Sequence, residues 1–182
     1  GSLTRSILLE EAESIVAIEK DLRMINCLKE LKTICEEKLT LINDDILNLT
    51  LNSLGPFPKS ILGNLPYNIS SKLIVSWLKE IHYNKNIKVE NITITIQKEL
   101  ADRLISSKNS KEYGRISVYT QLLSNVNKLL ELSPSNFHPK PKVFSSVINI
   151  KPLKKPRFKV NLETFERIVK QAFGNRRKML RQ

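Results

Sequence analysis

The chain has 182 residues, 41% of them apolar and 26% charged, which is enough for one domain with a true core and the beginning of a second. No apolar run approaches the roughly 20 residues that cross a bilayer, and Glu10, Glu11 and Glu13 crowd an opening stretch where a secretory leader would be basic and apolar. The formal charge of +12 is segregated: residues 1–137 hold 17 Lys+Arg against 16 Asp+Glu, whereas residues 138–182 hold 13 against 2. Such a basic last quarter suits a polyanion, because neutralising phosphates drives sequence-independent affinity; a membrane surface is the weaker alternative, since the tail has no strong basic amphipathic signature.

In chain order, residues 3–12 read as helix and 14–18 as a short β-branched strand ending at Glu19. Residues 21–35 carry apolar positions at helical spacing, with Asp21 as the expected N-cap. Cys27 and Cys35 lie in that stretch without the roughly four ligands of a zinc site, so they read as reduced thiols of a cytoplasmic protein. His82 and His138 read as surface or loop residues. Residues 39–43 form a strand running into Asp44 and Asp45, and Gly55, Pro56 and Pro58 mark a loop. A buried strand over 60–63 ends at Asn64, a serine-capped helix follows over 70–81, and 91–96 is a β-branched strand. Helices are expected over 98–107 and 116–124, closing strands over 126–132 and 143–150, a Lys/Pro-rich linker over 151–159 and a last helix over 162–173. Alternating strands and helices predict an α/β fold with a mostly parallel, doubly wound sheet and an antiparallel edge pair at the end. Ligands in such sheets bind at the carboxyl ends of strands, where Glu19, Asp45 and Asn64 fall.

Asn64-Leu65-Pro66-Tyr67 is the segment with the clearest chemistry. An adenine amino group is a poor nucleophile because its lone pair is delocalised into the ring. Two acceptors on its hydrogens, the Asn64 side-chain oxygen and the Leu65 carbonyl, could pull the nitrogen toward tetrahedral geometry. Pro66 restricts Leu65 to an extended conformation that aims the carbonyl outward, and Tyr67 could stack on the base for roughly 1–3 kcal/mol. The plainer reading is ordinary strand-to-turn punctuation. Glu19 suits the ribose hydroxyls of an adenosyl cofactor and Asp45 its adenine amino group, the alternative for each being a solvated carboxylate. Phe137, in the turn Ser135–Pro139, could form a second face against the base or tuck into the core. Asn175-Arg176-Arg177-Lys178 and Arg181 read as phosphate contacts or as a solvated helix end.

Gly63-Asn64-Leu65-Pro66-Tyr67-Asn68-Ile69-Ser70-Ser71 resembles the core motif of the small-subunit rRNA adenine dimethyltransferases. Gln97-Lys98-Glu99, Tyr113-Gly114-Arg115-Ile116-Ser117-Val118, the run Phe137–Val143 with Ser145-Ser146-Val147, and Ala172–Lys178 resemble the family's further motifs, in order over essentially the whole chain. Lys140 stands where the family usually has a proline. The resemblance implies a Rossmann-like, S-adenosylmethionine-dependent methyltransferase domain over 1–155 and the start of a small C-terminal helical RNA-binding domain over 156–182. It implies transfer of two methyl groups to N6 of each of two adjacent adenosines in small-subunit rRNA, within an immature subunit, by a cytoplasmic monomer with no metal. Gly1, Glu19, Asp45 and Asn64 would touch the cofactor; Asn64, Leu65, Pro66, Tyr67 and Phe137 would hold the base; Arg115, Arg176, Arg177 and Lys178 would contact RNA. Gly1-Ser2-Leu3-Thr4 resembles the last third of the family's cofactor loop, G-x-G-x-G-x-L-T, so a first strand and the earlier glycines are expected before Gly1, and the helical domain is expected to continue past Gln182. The rival large-subunit rRNA methyltransferases of antibiotic resistance usually carry isoleucine at the position of Leu65, and DNA adenine methyltransferases favour Asp-Pro-Pro-Tyr. The alternative of another class is a module that binds immature small subunits without chemistry.

Overall fold

The computed structural model describes residues 2–10, 12–35, 37–57 and 59–174. Gly1, Arg176, Arg177, Lys178 and Arg181 therefore lie outside the described residues. The chain divides into two compact units, residues 1–55 and 56–182.

In the first unit, helix α1 (Ser2–Leu9) is followed by strand β1 (Ile15–Glu19), helix α2 (Leu22–Ile34) and strand β2 (Leu39–Asn43). Asp21 caps α2 as expected, its carboxylate accepting the Arg23 N–H at 2.9 Å. Strands β1 and β2 pair in parallel from Ile15 opposite Leu39 to Glu19 opposite Asn43. Ile25 and Leu28 of α2 and Leu39 of β2 are buried. Beyond β2 the chain makes two single 3-10 turns, Ile46–Asn48 and Leu51–Leu54. Asp45 starts the first of them by accepting the Leu47 N–H, and Gly55 ends the second at φ 88°, a conformation open to glycine.

The second unit holds strand β3 (Lys59–Asn64), helix α3 (Ser70–Tyr83), strand β4 (Val89–Gln97), helices α4 (Lys98–Ile105) and α5 (Arg115–Leu123), strands β5 (Ser124–Leu132) and β6 (Ser145–Pro152), and helix α6 (Leu162–Gly174). Its sheet has the order β3-β4-β6-β5. β3 runs parallel to β4, while β6 is antiparallel to both β4 and β5. The sheet is thus mixed, with β3, β4 and β5 running the same way and β6 the opposite way, as a mostly parallel sheet with an antiparallel pair at its end requires. β5 follows β4 through two helices and runs the same way, but the connection over 133–144 contains only the 3-10 turn Pro134–Asn136 and no crossover helix. β6 consequently returns in the opposite sense and inserts between the two. The expected antiparallel edge pair is β5 with β6, with β5 as the edge strand.

The alternation of Asn-Ile-Thr-Ile-Thr-Ile sends Ile92, Ile94 and Ile96 to one face of β4, each at most 1% exposed, where they meet Ile148 and Ile150 of β6. Leu73, Ile74, Trp77 and Leu78 of α3, Ala101 and Leu104 of α4, and Tyr119, Leu122 and Leu123 of α5 are buried in the same unit. Ser70 is not the cap of α3. It is the first helical residue, after Ile69 at the N-cap, and its hydroxyl donates back to the Pro66 carbonyl at 2.8 Å. Nor is 151–159 a free linker: β6 runs to Pro152, and the N–H groups of Leu153 and Arg157 donate to the carbonyls of Leu123 and Leu122 at the end of α5, groups the helix itself leaves unpaired. Asn161 begins α6 by accepting the Thr164 N–H. Among the described residues, no helix is long and apolar enough to cross a membrane.

Candidate active site

Asn64 is the last residue of β3, and the chain beyond it is fixed at three points. The Leu65 N–H donates to the Thr95 carbonyl of β4 at 3.2 Å, which extends the ladder by one bond and commits the Leu65 backbone to the sheet edge. The Pro66 carbonyl accepts the Ile69 N–H at 3.2 Å and the Ser70 hydroxyl, closing a tight turn into α3. The Tyr67 hydroxyl meets the Ser145 hydroxyl of β6 at 2.8 Å. Gly63 gives this segment room, since a Cβ there would stand 3.3 Å from Leu65 Cδ2. Among the described residues of the unit, no hydrogen bond engages the Asn64 carboxamide or the Leu65 carbonyl, and Asn64 is exposed.

These residues form one side of a cleft of about 260 Å³ lined by Asn64, Leu65, Pro66, Tyr67, Phe137, Pro139 and Pro141. The structure thus brings together all five residues expected to hold a base. Phe137 is half-buried and lines the cleft rather than packing into the core. Pro139 and Pro141 stood in the motif run Phe137–Val143 but were given no part in the site there. The cleft has aromatic and proline surface, two free acceptor oxygens and no lining carboxylate, amine or imidazole. That chemistry suits a flat, uncharged, amine-bearing ring better than an anion.

Glu19 and Asp45 belong to the first unit. Glu19 is half-buried at the end of β1, and its Oε1 accepts the Asp21 N–H at 2.9 Å. Its other carboxylate oxygen has no hydrogen-bond donor among the described residues of the unit, which fits a ligand diol. Asp45 is more engaged: Oδ1 takes the Leu47 N–H and Oδ2 pairs with Lys20 at 2.9 Å. The ammonium of Lys20 is held above its ordinary pKa, first by that hydrogen bond. Asn43, facing Glu19 across the ladder, donates from its side chain to the Glu19 and Lys20 carbonyls and ties the two strand ends together. Arg115 is exposed at the first turn of α5 and is not among the residues of the cleft. Its neighbour Ser117 accepts the Gly114 N–H at 3.0 Å and donates to the Arg103 carbonyl, which sets the start of α5 against the end of α4. No metal-holding cluster of His, Cys, Asp or Glu occurs among the described residues.

Comparison with known proteins places these motifs. The family model described as ribosomal RNA adenine dimethylase matches residues 1–182. The chain is 41% identical over 181 residues to ribosomal RNA small subunit methyltransferase A of Wolbachia pipientis subsp. Culex pipiens, with 100% of this chain and 67% of that protein covered. It is 39% identical to the protein of the same name from Rhodospirillum rubrum, of which it covers 61%. The chain therefore spans about two thirds of the length of the curated relatives it matches. Among solved structures it resembles a dimethyladenosine transferase from Plasmodium falciparum at a TM-score of 0.77 and 26% identity, over 93% of this chain and 58% of that one. It also resembles the 23S rRNA methyltransferase ErmE at a TM-score of 0.71 and 26% identity, over 96% and 67% respectively. With the cleft, the motif order and a match over its whole length in agreement, the chain belongs to the ribosomal RNA adenine dimethylase family.

Proposed function

We propose that this protein methylates N6 of two adjacent adenosines near the 3′ end of small-subunit rRNA, giving N6,N6-dimethyladenosine in an immature small ribosomal subunit. The observation that carries the proposal is the uncharged cleft lined by Tyr67, Phe137 and three prolines, with two free acceptor oxygens at Asn64 and Leu65. The target adenine leaves its stack and enters the cleft. Tyr67 stacks on it and Phe137 closes the other side. Asn64 Oδ1 and the Leu65 carbonyl accept the two hydrogens of the amino group and draw the nitrogen toward tetrahedral geometry, which localises the lone pair. These acceptors match the nitrogen better as it becomes tetrahedral and positively charged than when it is flat. They therefore stabilise the transition state more than the ground state.

S-adenosylmethionine supplies an electrophilic methyl group when bound. Glu19 takes its ribose hydroxyls through the free carboxylate oxygen, and Asp45 takes its adenine amino group in exchange for Lys20. Exchange at Asp45 is cheap because exposed ion pairs contribute little, and the side chain of Lys20 is 75% exposed. Arg115, Arg176, Arg177 and Lys178 hold rRNA phosphates. The basic segment 156–182 begins a helical RNA-binding domain after a methyltransferase domain over 1–155, in a monomeric cytoplasmic enzyme.

Asn64→Ala in the full-length gene product tests this reading. Methyl transfer to immature small subunits is expected to fall about a hundredfold or more, the scale set by removing one group aimed at developing charge. Affinity for the subunit should hold within about twofold, since phosphate contacts elsewhere dominate it. Equal methylation rates for variant and wild type would remove Asn64 from the mechanism.

A further inference from the structure

Tyr67 and Phe137 reach the cleft from stretches of chain 70 residues apart, yet one contact joins the ends of their supports. The Tyr67 hydroxyl hydrogen-bonds Ser145 at 2.8 Å, and Ser145 is where the Phe137-bearing connection rejoins the sheet. From this we infer that Ser145 is a positioning residue for the base-holding cleft: its hydroxyl pins the far end of the Tyr67 ring and so fixes the face offered to the adenine. The inference rests on the base-holding role proposed above for Tyr67.

A tyrosine ring swings about two side-chain torsions, and the turn at Pro66 fixes only its near end. A second anchor at the phenolic oxygen removes that freedom. Ser145 suits the task because its backbone is held between two strands and it has no access to water. It is fully buried, and its backbone lies between Gln97 of β4 and Leu132 of β5. The preceding carbonyl, that of Phe144, accepts the Lys98 N–H at 3.0 Å and locks the strand start to α4. Thus the end of the loop carrying Phe137, Pro139 and Pro141 is the rigid post to which Tyr67 is tied. The next residue supplies a contrast. Ser146 is equally buried on the same strand, but its hydroxyl has no hydrogen-bond partner among the described residues. Successive residues of a strand face opposite sides of the sheet, so Ser146 is a buried serine of the same strand that does not face Tyr67.

The experiment is a double-mutant cycle in the full-length gene product, with methyl transfer from S-adenosylmethionine to immature small subunits as the readout and Ser146→Ala as the control. Ser145→Ala and Tyr67→Phe should each lower kcat about tenfold, the loss expected when a reacting group is displaced by a fraction of an ångström. The double variant should also lose about tenfold, not a hundredfold, because both changes break one bond. KM for the subunit should stay within about twofold, and Ser146→Ala should keep wild-type kcat. A double variant whose losses multiply, or a Ser145→Ala variant as active as Ser146→Ala, overturns the positioning role. Asn64→Ala separates the two claims: if it is inactive while Ser145→Ala is fully active, only the Ser145 inference falls. If Asn64→Ala methylates normally, the base-activation reading falls.

Discussion

The central strand of the second unit and the first strand of the first unit are both β-branched, yet they are supported very differently. β4 is hydrogen-bonded on both sides, by β3 and β6, and buries Val89, Ile92, Ile94 and Ile96. β1 pairs with β2 alone, and all five of its residues are only half-buried. A two-stranded ladder contributes little stability by itself, so the first unit relies on local devices: Asp21 capping α2, Asp45 starting a 3-10 turn, and Asn43 tying the two strand ends. The difference separates two demands on the proposed site. The residues assigned to the base are fastened to a packed sheet, where small displacements are resisted. Glu19 and Asp45, assigned to the cofactor, sit at a strand end and at the start of a 3-10 turn, where a side chain can exchange one partner for another.

The comparison breaks first at the core. Trp77 is 3% exposed in α3, and Trp77→Ala is expected to cost about 3–5 kcal/mol in denaturant unfolding. A loss under about 1 kcal/mol would mean that the second unit is not organised around this packing. The contrasting change is Glu19→Gln. One oxygen of Glu19 accepts only the Asp21 N–H, so unfolding free energy should move by less than about 0.5 kcal/mol, as for most surface positions. Titration calorimetry with S-adenosylmethionine on the full-length gene product should instead show affinity roughly tenfold weaker or more, since hydrogen bonds to a charged group contribute about 1.5–3 kcal/mol. Unchanged affinity would detach Glu19 from the cofactor.

The same asymmetry governs what could be read from the sequence. Strand ends at Glu19 and Asn64 and the cap at Asp21 were legible because each rests on neighbours within a few residues. So was the pairing of β5 with β6, where consecutive strands meet without a helix between them. The insertion of β6 between β4 and β5 was not legible, since strand order depends on pairings 48 to 58 residues apart. Likewise Asn64–Tyr67 announced itself by composition and by the proline, and Phe137 by its exposed setting. Ser145 stood in a motif that resembles the family's, but its role was not legible, because a serine after a loop matters only once Tyr67, 78 residues earlier, is folded against it. The false serine cap at Ser70 had a related cause: the helix begins one residue earlier in register, so the hydroxyl turns back to Pro66 rather than forward.

The smallest effect is electrostatic and belongs to the better-packed unit. Lys98 and Asp102 of α4 face Lys128 and Glu131 of β5. Lys98 Nζ lies 2.6 Å from Glu131 and 3.5 Å from Asp102, and Lys128 Nζ lies 2.9 Å from Asp102. The hydrogen bond from Lys98 holds the Glu131 carboxyl below its ordinary pKa, despite some opposing desolvation. A carboxyl depressed in the folded state adds stability that is present above its unfolded value, about 4.3, and that disappears as pH falls through the folded value. Wild type should therefore lose Tm more steeply than Glu131→Gln as the pH is taken from 6 toward 3, and the gap should narrow at high salt because these side chains are partly exposed. Identical pH profiles would show that the α4–β5 contact is held by Ala101, Leu104 and the strand ladder alone. Packing would then account for the whole difference between the two units, with charge contributing nothing measurable.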